Sequence, residues 1–119
     1  METDYTMYII INNDLNMNKG KIASQVGHVV QHMIENILES YYLSKKCTDK
    51  YNSYIKWKSG SKKIVLKTTH NNLLNLIQNY DCEPIYDAGK TQVEENSLTC
   101  VGFYPSNKNY KLFEKYKLL

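Results

Sequence analysis

The chain has 119 residues, 42% of them hydrophobic and 23% charged, which suits one globular domain with a modest core and falls short of the length at which chains usually divide. No apolar run approaches the ~18 residues of a membrane span, and Cys47, Cys82 and Cys100 lack the paired spacing of a zinc site or redox motif. Fifteen basic against twelve acidic residues leave a formal charge of +3, too small to diagnose nucleic-acid binding by itself.

The opening METDYTMYIIINND lacks the basic start and cleavage region of a secretory signal, so a cytoplasmic protein with no membrane attachment is expected. Within it, MYIIIN (7–12) is an isoleucine-rich run of strand length and fits a central strand buried on both faces. NDLNMN then makes a turn. From about Lys19 to Leu43 the apolar residues Ile22, Val26, Val29, Val30, Met33, Ile34 and Ile37 fall at helical spacing. A shorter amphipathic segment runs around Tyr51 to Trp57, followed by KKIVLKT (62–68) as a strand and NNLLNLIQN (71–79) as a helix.

EPIYD (83–87) and LTCVGFY (98–104) read as two further strands, expected as antiparallel neighbours, with AGKTQVEENS as the loop between them. A final helix is expected from Ser106 as N-cap, burying Leu112, Phe113 and Tyr116. No repeat, low-complexity tract or linker interrupts the chain. The reading is a single α/β domain over residues 1–119, with a mixed four-stranded sheet and helices on both faces.

The long helix opens with Lys19, Gly20 and Lys21, where acidic residues are expected because the macrodipole is positive at that end. Such a start collects positive charge for an anionic ligand. Further along, Lys21, Gln25, His28 and His32 lie four, three and four apart and share one face. That stripe begins beyond the C-terminal end of the first strand, the rim where α/β sheets usually bind ligands. His28 and His32 sit one turn apart, but Val29 stands where HExxH needs glutamate and no third ligand is apparent, so no metal site is read here. Gly89-Lys90-Thr91 resembles the end of a phosphate-binding P-loop, yet Pro84 stands where its first glycine belongs. Nucleotide hydrolysis is therefore set aside.

Taken together, NDLNMNKGKIASQVGH (13–28) and DAGKTQVEENSLTCVGFYP (87–105) resemble the two signature regions of the class 2 peptidyl-tRNA hydrolases. The likeness covers most of the chain, and the two motifs agree in order, distance and context. The resemblance implies a compact four-stranded mixed sheet between helices. It also implies hydrolysis of the ester joining peptide to the terminal ribose of tRNA, with no metal or organic cofactor, peptidyl-tRNA as partner, and a possible homodimer. Family functional positions fall on Lys21, Gln25, Asp87, Thr91 and Thr99. The departures are Lys90 for the usual arginine, which keeps the charge but loses the planar fork, Gly27 before the histidine, and GFYP at the end of the fourth strand.

Ester hydrolysis needs a positioned water and a donor for the tetrahedral oxyanion, and Asp87 and Lys21 are the natural candidates, facing each other across the sheet's C-terminal rim. A close pair makes Asp87 a weak base and more naturally an orienting group. Gln25, Thr91 and Thr99 would position water or substrate, while Lys19, Gly20 and Lys90 would meet the tRNA, Gly20 by letting the backbone turn tightly. His28, two turns into the helix, is expected to be packed or to orient a partner. The rival reading is a non-catalytic RNA-binding or protein-interaction module of the same fold.

Overall fold

The isoleucine run forms β1 (Thr6–Asn12), buried along its whole length, because β-branched side chains on both faces of a strand need apolar cover on both. The computed structural model describes residues 4–88 and 93–119. In chain order β1 is followed by α1 (Lys19–Ser44), α2 (Asp49–Lys58), β2 (Lys63–Thr68), α3 (His70–Asn79), β3 (Glu83–Tyr86), β4 (Leu98–Ser106), α4 (Tyr110–Phe113) and β5 (Lys117–Leu118). This is an α/β domain built on one five-stranded mixed sheet of order β3-β4-β1-β2-β5. β1 pairs in parallel with β2, and the β1–β4, β3–β4 and β2–β5 pairs are antiparallel.

Successive residues of a strand point to opposite faces, and the two hydrophobic clusters follow that alternation. Met7, Ile9 and Ile11 pack with Val29 and Met33 of α1 and Trp57 of α2. Tyr8 and Ile10 pack with Leu73 and Leu76 of α3 and Phe113 of α4. Each such fully buried side chain contributes about 1.5–3 kcal/mol relative to exposure.

On the first face α1 lies tightly against Gly102 of β4. A Cβ built there would lie 2.5 Å from Met33 Cε and 2.6 Å from Val29 Cγ2, so the absent side chain is what lets α1 sit against the sheet.

Helix ends match their local chemistry. The Asn18 side chain caps α1 by accepting from Lys21 N at 2.9 Å, and Lys45, in the left-handed region at φ 60°, closes its far end by donating its N–H to Tyr41 O. Thr48 and Thr69 cap α2 and α3 in the same way as Asn18. Trp57 Nε1 donates to Lys62 O at 2.7 Å, tying the end of α2 to the start of β2.

Two expectations need correction. The sheet has five strands rather than four, since Lys117–Leu118 pairs with β2. Ser106 is the last residue of β4 rather than a helix cap, and the final helix is a single turn at Tyr110–Phe113. Phe113 is buried as expected, with Leu112 and Tyr116 packed against its cluster. A single turn followed by an edge strand buries the same residues that a longer helix was invoked to bury.

Candidate active site

α1 begins just past the C-terminal end of β1, and β3, which runs in the same direction, ends at Tyr86, so Asp87 emerges at the same rim. There Lys21 Nζ donates to Asp87 Oδ1 at 2.6 Å, the two side chains being 10% and 8% exposed. Two segments 66 residues apart in sequence thus meet in one ion pair. Its shortness and its shielding from water make it stronger than a surface pair, whose worth is mostly lost to screening.

Behind the pair lies a polar relay inside the core. Gln25 Nε2 faces Asp87 Oδ1 at 3.4 Å, and Thr99 Oγ1 donates to Gln25 Oε1 at 2.6 Å, with the Ile85 carbonyl as its alternative acceptor at 3.2 Å. Gln25 is 2% exposed and Thr99 fully buried. α1's buried stripe is Gln25, Val29, Met33 and Ile37, so an amide occupies a position where the helix period calls for an apolar side chain. Burying unpaired polar groups costs about 1–3 kcal/mol, and every one of these has its partner. The relay holds the amide in one orientation, with its N–H toward the carboxylate.

Cys100 lies against the same turn of α1, with its thiol 3.6 Å from Gln25 O. Burial pushes this thiol from its ordinary 9.0 up to about 12, with a hydrogen bond involving Thr99 pulling it partly back, so it is a neutral packing group and not a nucleophile. The backbone closes the loop after β3: Asp87 N donates to Ser97 O at 2.9 Å, and Asn96 N to Asp87 O at 2.7 Å.

Beside the pair opens a cleft of about 480 Å³, lined by Gln25, His28, His32, Glu83, Tyr86 and Asp87 among others. His28 is exposed on its wall, so of the two roles expected for it, packing or orienting a partner, it does not fill the first. The cleft between α1 and the edge strand β3 keeps that helix face in solvent. Farther along, His32 Nδ1 is 4.0 Å from Glu83 Oε1, and Asn36 Nδ2 donates to Glu83 Oε2 at 3.3 Å.

Of the residues singled out from sequence, Lys21, Gln25, Asp87 and Thr99 converge. Lys19 and Gly20 are exposed in the first turn of α1. Thr91 and Lys90 lie outside the described residues. Gly20 does not make a tight turn: it is helical, and an added Cβ would meet only Asn18 Oδ1 at 3.6 Å. Asn18, which caps the helix, was not singled out, although an Asn before an apolar-periodic segment is a cap signature. Glu83 and Tyr86 carried no sequence cue, because only the packing of β3 against α1 places them on the cleft. Among the described residues no group of three or more His, Cys, Asp or Glu is placed to hold a metal ion, and no helix is long and apolar enough to cross a membrane.

A buried ion pair whose carboxylate lines an open cleft, with a fixed amide and hydroxyl behind it, defines the class: a small α/β domain with a polar centre suited to hydrolysis. The family model described as Peptidyl-tRNA hydrolase PTH2 matches residues 5–119, and the chain belongs to that family. It is 37% identical over 123 residues to a peptidyl-tRNA hydrolase of Methanococcus maripaludis, covering 97% of this chain and 99% of that one. Similar proteins of the same name come from Sulfurisphaera tokodaii, 36% identical over 107 residues and 84% of each chain, and Saccharolobus solfataricus, 34% identical over 111 residues, 87% of this chain and 88% of that one.

Proposed function

We infer that this chain hydrolyses the ester linking peptide to the terminal ribose of peptidyl-tRNA, releasing the peptide and free tRNA. Family membership over residues 5–119 supports the activity. The 2.6 Å Lys21–Asp87 pair, backed by Gln25 and Thr99, carries the assignment of the centre. In the reaction, water oxygen adds to the ester carbonyl carbon, the bond from that carbon to the ribose oxygen breaks, and the ribose oxygen takes up a proton.

Lys21 stabilises the negative charge that develops on the carbonyl oxygen, because an ammonium shielded from water acts at close range without reorganising. Asp87 holds that ammonium in place and accepts a hydrogen bond from the attacking water, aligning it for attack. Gln25 and Thr99 act one step back: the hydroxyl fixes the amide and the amide fixes the carboxylate. Thr91 joins them as a positioning hydroxyl on the strength of the family resemblance, and Lys19, Gly20 and Lys90 meet the tRNA, because the lysines offer positive charge and the helix start offers N–H groups to an anion. A cytoplasmic setting suits the three cysteines, which stand as free thiols, and a homodimer rests on that resemblance; light scattering of the purified protein reads the second directly.

The non-catalytic alternative is not favoured, since four polar side chains are brought together where a binding surface would have no use for a buried relay. The test is release of labelled peptide from N-acetylated aminoacyl-tRNA by the purified protein in the presence of a chelator. Turnover by the wild-type chain, abolished in Asp87→Asn with unchanged circular dichroism, is expected. Binding of tRNA without turnover by the wild-type chain would instead establish the non-catalytic module.

A further inference from the structure

Strand register puts five residues in one row across the sheet: Ile85 of β3, Cys100 of β4, Ile11 of β1, Lys67 of β2 and Lys117 of β5. Asp87 lies two residues beyond Ile85, so the row runs just under the rim that carries the ion pair. At about 4.8 Å per strand, Lys67 stands roughly 14 Å and Lys117 roughly 19 Å along the sheet from β3. Ile11 and Cys100 belong to the cluster under α1, so this row points to the same face as α1.

Lys67 and Lys117 are direct cross-strand partners. Like charges in that relation repel, and no carboxylate among the described residues lies within 4.0 Å of either ammonium. They line a second cleft of about 360 Å³ with Lys115, Asn13, Thr68 and Asn72. Thus three lysines are among the residues that line one concavity at the rim, and the like-charged cross-strand pair involves the two-residue edge strand β5.

We propose that this cleft is a docking site for the sugar-phosphate backbone of the substrate tRNA, with Lys67 and Lys117 clamping phosphates a few nucleotides back from the ester held at Lys21 and Asp87. The proposal deepens the hydrolase reading and rests on it for the identity of the polyanion. A phosphate between the two lysines turns their repulsion into a shared attraction. Ile11 and Cys100 are buried in that row, so the single-stranded 3′ end passes along the rim beyond β1 and β4 while the following phosphates sit at the ends of β2 and β5. All fifteen basic residues of the chain are lysines, which act as point charges on phosphate without reading bases. The site therefore holds tRNA by its backbone, independently of sequence.

The experiment compares the wild-type chain with Lys67→Met/Lys117→Met and Lys67→Glu/Lys117→Glu, using deacylated tRNA for binding and N-acetylated aminoacyl-tRNA for turnover. Each neutralised phosphate contact contributes a slope of about −0.7 to −0.9 in log K against log salt. The Met pair should therefore weaken tRNA binding about tenfold or more at low salt and flatten the salt slope by one to two units, with the kinetic loss in KM rather than kcat. Its melting temperature should rise or hold, because the like-charge pair is gone, so the lost binding cannot come from lost folding. The Glu pair should weaken binding further. Wild-type affinity and salt slope in the folded Met pair would overturn the proposal, as would a loss confined to kcat. If the wild-type chain bound tRNA with the full slope but hydrolysed nothing, the enzymatic reading would fail while the clamp stood.

Discussion

Replacing Thr99 by Val removes one hydroxyl from the relay at almost constant shape. Thr99 Oγ1 donates to Gln25 Oε1 at 2.6 Å in a fully buried setting, so the variant leaves the Gln25 carbonyl oxygen without a donor where water does not reach. An acceptor orphaned in this way costs about 1–3 kcal/mol, and for a domain of this size each kcal/mol lowers the melting temperature by about 4 °C. Gln25 can recover a partner only by turning its amide, and that withdraws the N–H now 3.4 Å from Asp87. The carboxylate then loses one of the groups that fix it, and kcat should fall about tenfold, equivalent to roughly 1.4 kcal/mol of lost transition-state stabilisation. Urea unfolding and peptide release from N-acetylated aminoacyl-tRNA read the two effects. Thr99→Ser, which keeps the hydroxyl and loses only a methyl, should restore most of the rate. A Val variant with wild-type stability and rate, or a Ser variant as slow as Val, would refute the relay.

Other outcomes follow from the packing. Gly102→Ala places a methyl 2.5–2.6 Å from Met33 and Val29, and such overpacking should cost about 1–3 kcal/mol; Val29→Ala in the same chain should recover part of the loss in thermal melts. Cys100 titrates near 9.0 when unfolded and is pushed up to about 12 by burial. Above pH 9 the unfolded chain releases a proton that the folded chain keeps, so the contribution to stability falls as pH rises from about 9 toward 12, by at most about 1.4 kcal/mol per unit. Urea midpoints at pH 8 and 10 under reducing conditions should show that decline, smaller in Cys100→Ala. Exposed Cys47 should react with a thiol reagent in the native state, and Cys100 only after unfolding.

Much of this architecture could be read from the residues alone because it rests on local chemistry. The isoleucine run of β1 and the apolar period of α1 each admit one economical placement, and Lys21, Gln25, Asp87 and Thr99 stood out through family motifs. What escaped depends on long-range pairing. β5 is two residues long, too short for any periodicity, and its existence follows from Leu66 and Lys67 having a free edge to pair with. The helical spacing of Leu112, Phe113 and Tyr116 is met equally by one turn and a return strand. Gln25 was placed on the polar stripe, whereas α1 is rotated so that this amide enters the core and His28 faces the cleft. The row from Ile85 to Lys117 needs the register of four strand pairs, which no single segment contains.

The central claim is that Lys21 and Asp87 form one working unit, and a double-mutant cycle on kcat/KM with Lys21→Ala, Asp87→Asn and the combined variant tests it most directly. Each single variant should lose nearly all turnover while still binding tRNA, and the double variant should be no worse than the more damaged single, because a pair that acts together can be broken only once. Losses that multiply in the double variant, or wild-type turnover in either single, would contradict the account.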